Sequence, residues 1–229
     1  MPDVLNPSDE SPDTAPHASE SVATASGVRK RPKPGERRVQ ILQALASMLE
    51  QPGGERITTA ALAGRLNVSE AALYRHFASK AQMFEGLIEF IEQTVFSLIN
   101  QIVEREQTTS DGVGGTGVRQ AAKVVAMLMQ FAEKNPGMAR VMVGDALVFE
   151  NERLQQRMNQ FFDKIESTFK QCLRDAAVVS ASVTPAADAQ VRASVLAAFV
   201  AGRLQRFARS GYKRQPSEHL DAALRLLLG

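Results

Sequence analysis

Apolar residues of this chain recur every three or four positions, which is the spacing of one face of an α-helix. After Glu36 they form a single stripe that ends before Pro52, and its members are Val39, Leu42, Leu45, Ala46 and Leu49. No segment shows sustained alternation of apolar and polar residues with period two, which is the pattern of a half-buried strand. The sequence therefore predicts an all-α fold without a β-sheet.

Capping residues indicate where several of these helices begin. Thr58 or Thr59 can cap the second helix and Ser69 the third, while Ser79 with Gln82 three positions later forms a capping box for the fourth. About nine helices are predicted from caps, breakers and periodicity together. They cover 36 to about 51, 59–66, 70–77, 80–105, 118–134, a short helix from 138, 151–175, 186–210 and 217–228.

A glycine-rich segment precedes the predicted fifth helix. Residues 112–117 match the pattern G-x-G-x-x-G of dinucleotide-binding loops. That pattern binds a pyrophosphate where it joins a strand to a helix within a βαβ unit, and no apolar strand precedes it here. We therefore predict an interhelical loop at 111–117 and no nucleotide site.

Cysteine and histidine content narrows the possible functions. Cys172 is the only cysteine, and the histidines His17, His76 and His219 lie far apart, so no zinc-ligand spacing is present. No candidate nucleophile lies within a catalytic motif. No apolar run reaches the roughly 20 residues that cross a bilayer, and residues 1–28 lack the basic start of a secretory signal. We expect a cytosolic protein that is not an enzyme and binds no metal or cofactor.

Positive charge is concentrated in one short part of the chain. Residues 1–28 carry five acidic and no basic side chains, and residues 29–80 carry ten basic against four acidic. The remaining residues, 81–229, are nearly neutral. A local basic excess is typical of a protein with a polyanionic partner, although a solvated charge run has the same composition. Because the opening segment is poor in large apolar residues, residues 1–35 are predicted to form a disordered acidic tail and a basic arm.

The stretch from Ile57 to Lys80 carries the most specific pattern. Five apolar residues can close a small core between the second and third helices: Leu62, Leu66, Val68, Leu73 and Phe77. Ten other residues are left as candidates for DNA contact: Thr58, Thr59, Ser69, Glu70, Ala71, Ala72, Tyr74, Arg75, His76 and Lys80. Hydroxyl groups and helix starts bind phosphates, Arg75 can contact guanine or a phosphate, and the alanines keep the third helix slim enough for a major groove. We therefore predict a helix-turn-helix DNA-binding domain over 36–80, in preference to a generic helical hairpin.

The run Leu73 to Phe77, followed by Ser79 and Lys80, resembles the amino-terminal domain of the TetR family. Further segments resemble the nucleoid occlusion factors within that family, and they lie at 56–60, 68–77, 87–92, 135–137, 146–150 and 153–155. This resemblance extends over about residues 36 to 215, so it continues well beyond the helix-turn-helix into the domain predicted for residues 81–229. The acidic tail and the glycine-rich segment depart from it.

The resemblance implies a homodimer that binds a palindromic DNA site and also binds FtsZ, the tubulin-like division protein. It further implies a partner surface on the fourth and fifth helices near the DNA-binding domain, which includes Phe90, Lys134 and Asn135. Independently of the resemblance, Phe90 lies about 120° from the apolar line of the fourth helix, beside Met83 at about 100°. An aromatic residue in that position can anchor a partner, or it can pack on the first helix or on the start of the fifth.

Residues 81–229 are predicted to form a helical domain for dimerisation and partner binding. Small and apolar residues of the last two helices are the candidate dimer contacts, although they also fit an ordinary core: Val195, Phe199, Gly202, Leu224 and Leu227. The domain is also rich in methionine and phenylalanine, from Met127 to Phe162. These residues fit an adaptable core or a ligand pocket, and the pocket would make the protein a ligand-responsive repressor.

Overall fold

The computed structural model describes residues 35–51, 57–107, 113–179 and 183–229. These ranges contain helices and turns and no strand, which confirms the predicted all-α fold. None of the described helices is both long and apolar enough to span a membrane. The helices are α1 (Glu36–Leu49), α2 (Thr59–Arg65), α3 (Glu70–Tyr74), α4 (Lys80–Gln107), α5 (Val113–Lys134), α6 (Pro136–Met142), a 3₁₀ turn (Asp145–Leu147), α7 (Glu152–Val179), α8 (Pro185–Arg209) and α9 (Leu220–Leu228). The predicted tail and arm, apart from Gly35, lie outside the described residues.

Two hydroxyl caps begin the short helices α2 and α3. The side-chain oxygen of Thr58 accepts a hydrogen bond from the backbone N–H of Ala61 at 3.1 Å. Ser69 accepts in the same way from the N–H of Ala72 at 3.2 Å. Both caps satisfy N–H groups that have no partner within the helix, and they confirm Thr58 and Ser69 as the capping residues.

The start of α4 is fixed by the predicted capping pair. Ser79 accepts from the N–H of Gln82 at 3.1 Å, and the Gln82 side chain accepts from the N–H of Ala78 at 2.9 Å. The return bond therefore reaches one residue further back than in a standard capping box. This pair sets the direction in which the long helix leaves the short ones.

The apolar line of α4 forms one wall of the core. Five of its predicted residues are fully or almost fully buried: Leu87, Ile88, Ile91, Val95 and Ile99. Leu98 and Ile102, at the margins of the line, are half-buried. The larger helix–helix interfaces join α5 to α7 and α7 to α8, so the second domain is built around these three helices.

The predicted glycine-rich loop is wrong for the described part of that segment, because α5 already begins at Val113. Gly117 lies where α5 crosses α7, and a β-carbon on it would be 1.8 Å from the carbonyl oxygen of Cys172. Only glycine allows two helix backbones to approach so closely. Gly117 therefore permits close packing of two helices. Amino-acid composition alone does not distinguish a glycine of this kind from one in a loop.

Other helix limits also differ from the predictions, and tertiary contacts or prolines explain some of them. Pro136 begins α6 and Pro185 begins α8, since the first position of a helix needs no N–H donor. The start of α9 moves from 217 to Leu220, because His219 has a φ of 55°, which lies outside the range of a right-handed helix. Ser217 donates instead from its N–H and its hydroxyl to Glu133 of α5, at 3.1 and 2.5 Å. Helix α3 ends at Tyr74 instead of 77, and α7 extends to 179.

A nearly buried carboxylate lies where α4 ends and α5 begins. Glu106 pairs with Lys123 and, at 3.3 Å, with Arg119. The hydrogen bond from Lys123 holds the pKa of Glu106 below its ordinary value, against the opposing effect of burial. These ion pairs join the last turn of α4 to the first turns of α5, at the end of α4 that is farther from α3.

Candidate nucleic-acid interface

Helices α2 and α3 are held at a fixed angle by a small core and a tight turn. Leu62, Leu73 and Phe77 are buried, as predicted. Asn67, in the turn, has a φ of 51°, a left-handed conformation that asparagine tolerates better than most residues. The remaining two predicted core residues, Leu66 and Val68, are half-buried.

The residues predicted to contact DNA come together around this motif. Seven of them are exposed: Thr58, Ser69, Glu70, Ala71, Tyr74, Arg75 and His76. Thr59, Ala72 and Lys80 are half-buried. The arrangement leaves α3 with a slim, polar outer face, which is the shape that enters a major groove. The individual DNA contacts stay predictions.

A hydrogen bond joins the starts of α2 and α3. The hydroxyl of Thr59 donates to a carboxylate oxygen of Glu70 at 2.5 Å. Glu70 is thereby fixed at the surface of α3, where its charge repels phosphates. Such a carboxylate can accept a hydrogen bond from an amino group on a base edge, such as that of cytosine.

Lys80 has a partner within the chain. Its ammonium group pairs with the carboxylate of Glu150, which is largely buried, and lies 5.7 Å from the centre of the Phe84 ring. This ion pair links the start of α4 to the segment that precedes α7. To contact a phosphate, Lys80 must therefore either keep its bond to Glu150 and bind both groups, or break that bond. The number of basic residues in the segment gives no sign of this ion pair.

Arg38 of α1 is a residue that the sequence did not single out for this site. It donates to the carbonyl oxygen of His76 at 3.1 Å, and its guanidinium carbon lies 4.2 Å from the centre of the Phe77 ring. The guanidinium therefore binds a carbonyl oxygen just beyond α3 and covers Phe77, the last core residue of the motif. No local pattern pairs residues so far apart in sequence.

The carboxyl end of α1 is bound by the second domain. The carbonyl oxygen of Leu49 accepts from the guanidinium of Arg140 and from the hydroxyl of Tyr212, both at 3.1 Å. Arg140 also contacts Asp145 at 2.6 Å. Burial raises the pKa of Tyr212 while Arg140 opposes that shift, so the phenol stays protonated and remains a donor at neutral pH.

Phe90 projects from α4, with 46% of its surface exposed, so that part of the side chain is open to a partner. Met83, predicted beside it on the same outer face, is instead fully buried. The reason is that α1 and Phe77, which lies beyond α3, cover that side of α4 as far as Gly86. A β-carbon on Gly86 would lie 3.1 Å from Phe77 and 3.3 Å from Leu42. Phe90 emerges one turn beyond this cover.

The other two predicted partner residues lie at the end of α5. Lys134 is exposed, and the half-buried Asn135 donates from its side chain to the carbonyl of Phe131 at 2.8 Å. Helices α4 and α5 run antiparallel, and the Gln120 side chain bonds to the Val103 carbonyl at 3.0 Å. Phe90 lies 13 residues before Val103 on α4, and residue 133 lies 13 residues after Gln120 on α5. The three predicted partner residues therefore lie at about the same level along the two helices.

The predicted dimer contacts divide between the surface and the core. On α8, Val195 is 45% exposed, Phe199 is half-buried, and a β-carbon on the exposed Gly202 would meet open space. On α9, Leu227 is half-buried and Leu224 is buried within its own chain, and the dimer contacts stay predictions. Leu226, 87% exposed, is the residue that faces outward instead.

Much of the methionine and phenylalanine content of the second domain forms the core. Met129, Met158 and Phe161 are almost completely buried. A cavity of about 190 Å³ lies beside Met142 and Gln205, which is below the usual volume of about 300 to 1,000 Å³ for ligand sites. A wider groove of about 400 Å³ between α4, α5 and α7 is lined mainly by amide and hydroxyl side chains.

The fold and the helix-turn-helix are those of regulators of the TetR type. The model of "Bacterial regulatory proteins, tetR family" matches residues 41–87, and that of the SlmA-like "Tetracyclin repressor-like, C-terminal domain" matches residues 115–229. The solved regulator FadR of Bacillus subtilis, in complex with stearoyl-CoA, has the same fold, with a TM-score of 0.65 and 15% identity. That similarity covers 83% of this chain and 97% of the FadR chain.

Sequence comparison identifies the particular group. The nucleoid occlusion factor SlmA of Aliivibrio fischeri is 48% identical over 197 residues, which are 86% of this chain and 96% of the relative. SlmA of Idiomarina loihiensis is 48% identical over 81% of this chain and 90% of its own length. SlmA of Vibrio vulnificus is 47% identical over 85% and 95%. The chain therefore belongs to the SlmA family of nucleoid occlusion factors within the TetR family, which confirms the resemblance seen in the sequence.

Proposed function

We propose that this protein is a DNA-bound inhibitor of cell division. In this proposal a homodimer places two copies of α3 in a palindromic chromosomal site and, while bound, contacts FtsZ and disrupts its polymers over the nucleoid. The observation that supports it most strongly is the identity of 48% to a nucleoid occlusion factor over almost the whole relative, second domain included. The role is one of binding and involves no catalysis.

The DNA-binding part of the proposal depends on the outer face of α3. Tyr74, the last residue of α3, is exposed, and so are Arg75 and His76, which follow it. Ser69, which caps the start of the helix, is also exposed. Basic side chains that replace counterions on phosphates make the affinity fall with salt, by a slope of about 0.9 per phosphate contact on a logarithmic plot. A twofold dimer requires half-sites about 10 to 10.5 base pairs apart, or a multiple of that spacing.

Duplexes selected by the protein from a random pool test this part. We expect symmetrical nuclease protection, an affinity that falls steeply with salt, and a loss of affinity in the variant Arg75→Ala. Arg153→Ala is the matched control, since Arg153 is exposed at the start of α7, outside the helix-turn-helix. Absence of protection in dilute buffer, or equal losses in both variants, would contradict the assignment.

The FtsZ-binding part of the proposal depends on Phe90. An aromatic side chain that is nearly half exposed, at about the level of the exposed Lys134 along the neighbouring helix, is a suitable anchor for a protein partner. We expect Phe90→Ala to keep its DNA affinity but to lose inhibition of FtsZ polymers in a sedimentation assay. Phe149→Ala is the control, because Phe149 is 71% exposed at a different place, in the turn before α7. A folded Phe90→Ala protein that still inhibits FtsZ normally would refute this surface.

Mapping of binding sites across the chromosome separates this function from that of a ligand-responsive repressor. Many dispersed sites are expected for a nucleoid-associated inhibitor of division. A single site upstream of one operon would favour the repressor instead.

A further inference from the structure

Helix α1 connects the recognition helix to the second domain. Near its amino end, Arg38 bonds to the carbonyl of His76 at 3.1 Å and covers the Phe77 ring. At its carboxyl end, the Leu49 carbonyl receives two donors from the second domain. A helix of 14 residues is about 21 Å long and stiff. Because α1 contacts the residues that directly follow α3 and also packs on α2, which packs on α3, we expect the orientation of α3 to follow that of α1.

The two donors come from separate elements that meet at one oxygen. Arg140 lies on α6, and Tyr212 lies in the turn between α8 and α9. A carbonyl oxygen has two lone pairs, so these two bonds at 3.1 Å use its full capacity. The Arg140 side chain is 9% exposed, and its charge is neutralised by Asp145. The guanidinium is therefore held by Asp145 and by the Leu49 carbonyl at the same time.

Close backbone packing reinforces these bonds. A β-carbon on Gly137 of α6 would lie 2.0 Å from the carbonyl oxygen of Ala46 in α1. The two helices therefore touch backbone to backbone within a turn of the Leu49 carbonyl. With contact and directional bonds together, α1 has little freedom to tilt relative to α6.

We propose that Arg140 and Tyr212 are positioning residues for DNA recognition. By fixing the end of α1 they fix the orientation of each α3 relative to the dimer axis, and so they select the spacing between the two half-sites. This inference rests on the proposed binding of a palindrome by a dimer. One extra base pair moves a half-site by about 3.4 Å and rotates it by about 35°, a displacement that a fixed α3 does not follow.

The test measures the affinity for two duplexes that differ by one base pair between the half-sites. The first is a palindrome that the wild-type protein selects from a random pool, and the second carries one inserted base pair at its centre. The variant Tyr212→Phe removes only the hydroxyl and keeps the ring beside Phe207, whose centre is 5.2 Å away. Arg140→Met removes the charged donor. Arg157→Met is the control, because Arg157 pairs with Glu92 inside the second domain at 2.7 Å.

We expect the wild-type protein to bind the inserted duplex at least about tenfold more weakly than the selected one, a loss comparable to that of one mismatched base pair. In Tyr212→Phe the ratio of the two dissociation constants should shrink about fivefold, the factor equivalent to one net hydrogen bond. The variant should bind the selected duplex less tightly and the inserted duplex more tightly. General destabilisation would weaken both affinities alike and leave the ratio unchanged.

The inference is overturned if the wild-type protein is selective and Tyr212→Phe keeps the same ratio. It is also overturned if the Arg157→Met control shrinks the ratio as much as the two positioning variants do. Tyr212→Phe decides the question alone if Arg140→Met does not fold. A wild-type protein that binds no duplex would instead refute the proposed DNA-binding function, and the inference with it.

Discussion

Replacing Gly117 with alanine introduces a β-carbon at the closest approach of α5 to α7. That atom would lie 1.8 Å from the carbonyl oxygen of Cys172, whereas ordinary contact begins at 3.4 Å. Because both atoms are attached to helix backbone, no side-chain rotation relieves the clash. The helices must therefore move apart by roughly 1.6 Å, which opens one of the larger interfaces of the second domain.

The size of the effect follows from that displacement. Overpacking of a core costs typically 1–3 kcal/mol and occasionally more, and a backbone-to-backbone clash belongs at the upper end, about 3 kcal/mol. For a chain of this length each kcal/mol lowers the Tm by about 2–4 °C, so we expect a fall of about 6–12 °C. Thermal and urea unfolding, followed by helical circular dichroism, measure both quantities.

Gly115→Ala is the matched control two residues earlier in the same helix. Among the described residues, its β-carbon would meet only the end of the flexible Arg119 side chain, at 2.9 Å. Alanine is roughly 1 kcal/mol more favourable than glycine inside a helix, so this variant should be as stable as the wild type or more stable. Equal stability of the two variants would refute the argument. It would show that the backbone around residue 117 can move away from α7 at little cost, as a loop can.

Three further predictions concern charge, assembly and recognition. Because the folded-state pKa of Glu106 is lowered, its contribution to stability is complete above its unfolded value of about 4.3 and is lost as the pH falls through the folded value. The urea midpoint of the wild type should therefore fall more steeply below about pH 4 than that of Glu106→Gln, and parallel curves would contradict this. Val195→Asp should sediment as a monomer, since it places a charge on the exposed face of α8; an unchanged dimer would exclude that face. Arg38→Gln should weaken DNA binding more than Arg37→Gln at the same salt concentration, although each variant removes one charge. Among the described residues, Arg37 bonds to the nearby Gln40 side chain at 2.9 Å, whereas Arg38 bonds to the His76 carbonyl next to α3. Equal losses would show that only charge matters.

The sequence predicted those features that depend on near neighbours in the chain. The caps at Thr58 and Ser69 and the buried line of α4 follow from patterns that extend over one or two helical turns. The helix-turn-helix followed because its caps, turn and core residues all lie within one short segment. Local signals of this kind agree with one another wherever the fold is built from consecutive residues.

Features that depend on distant residues were missed or predicted wrongly. A helical wheel places Met83 and Phe90 on one outer face, but α1 covers only the part of that face that holds Met83. Likewise, the apolar spacing of α9 does not show that Leu224 packs inward while Leu226 faces outward. The bond from Tyr212 to Leu49 joins residues 163 positions apart, a separation over which sequence periodicity carries no information.

Sedimentation of FtsZ with this protein, in the presence and absence of a duplex that it binds, tests the central claim most directly. The proposed function predicts that the DNA-bound dimer reduces the amount of pelleted FtsZ polymer below that seen with the same concentration of DNA-free protein. An equal amount of pelleted FtsZ with and without the duplex would contradict inhibition that depends on DNA.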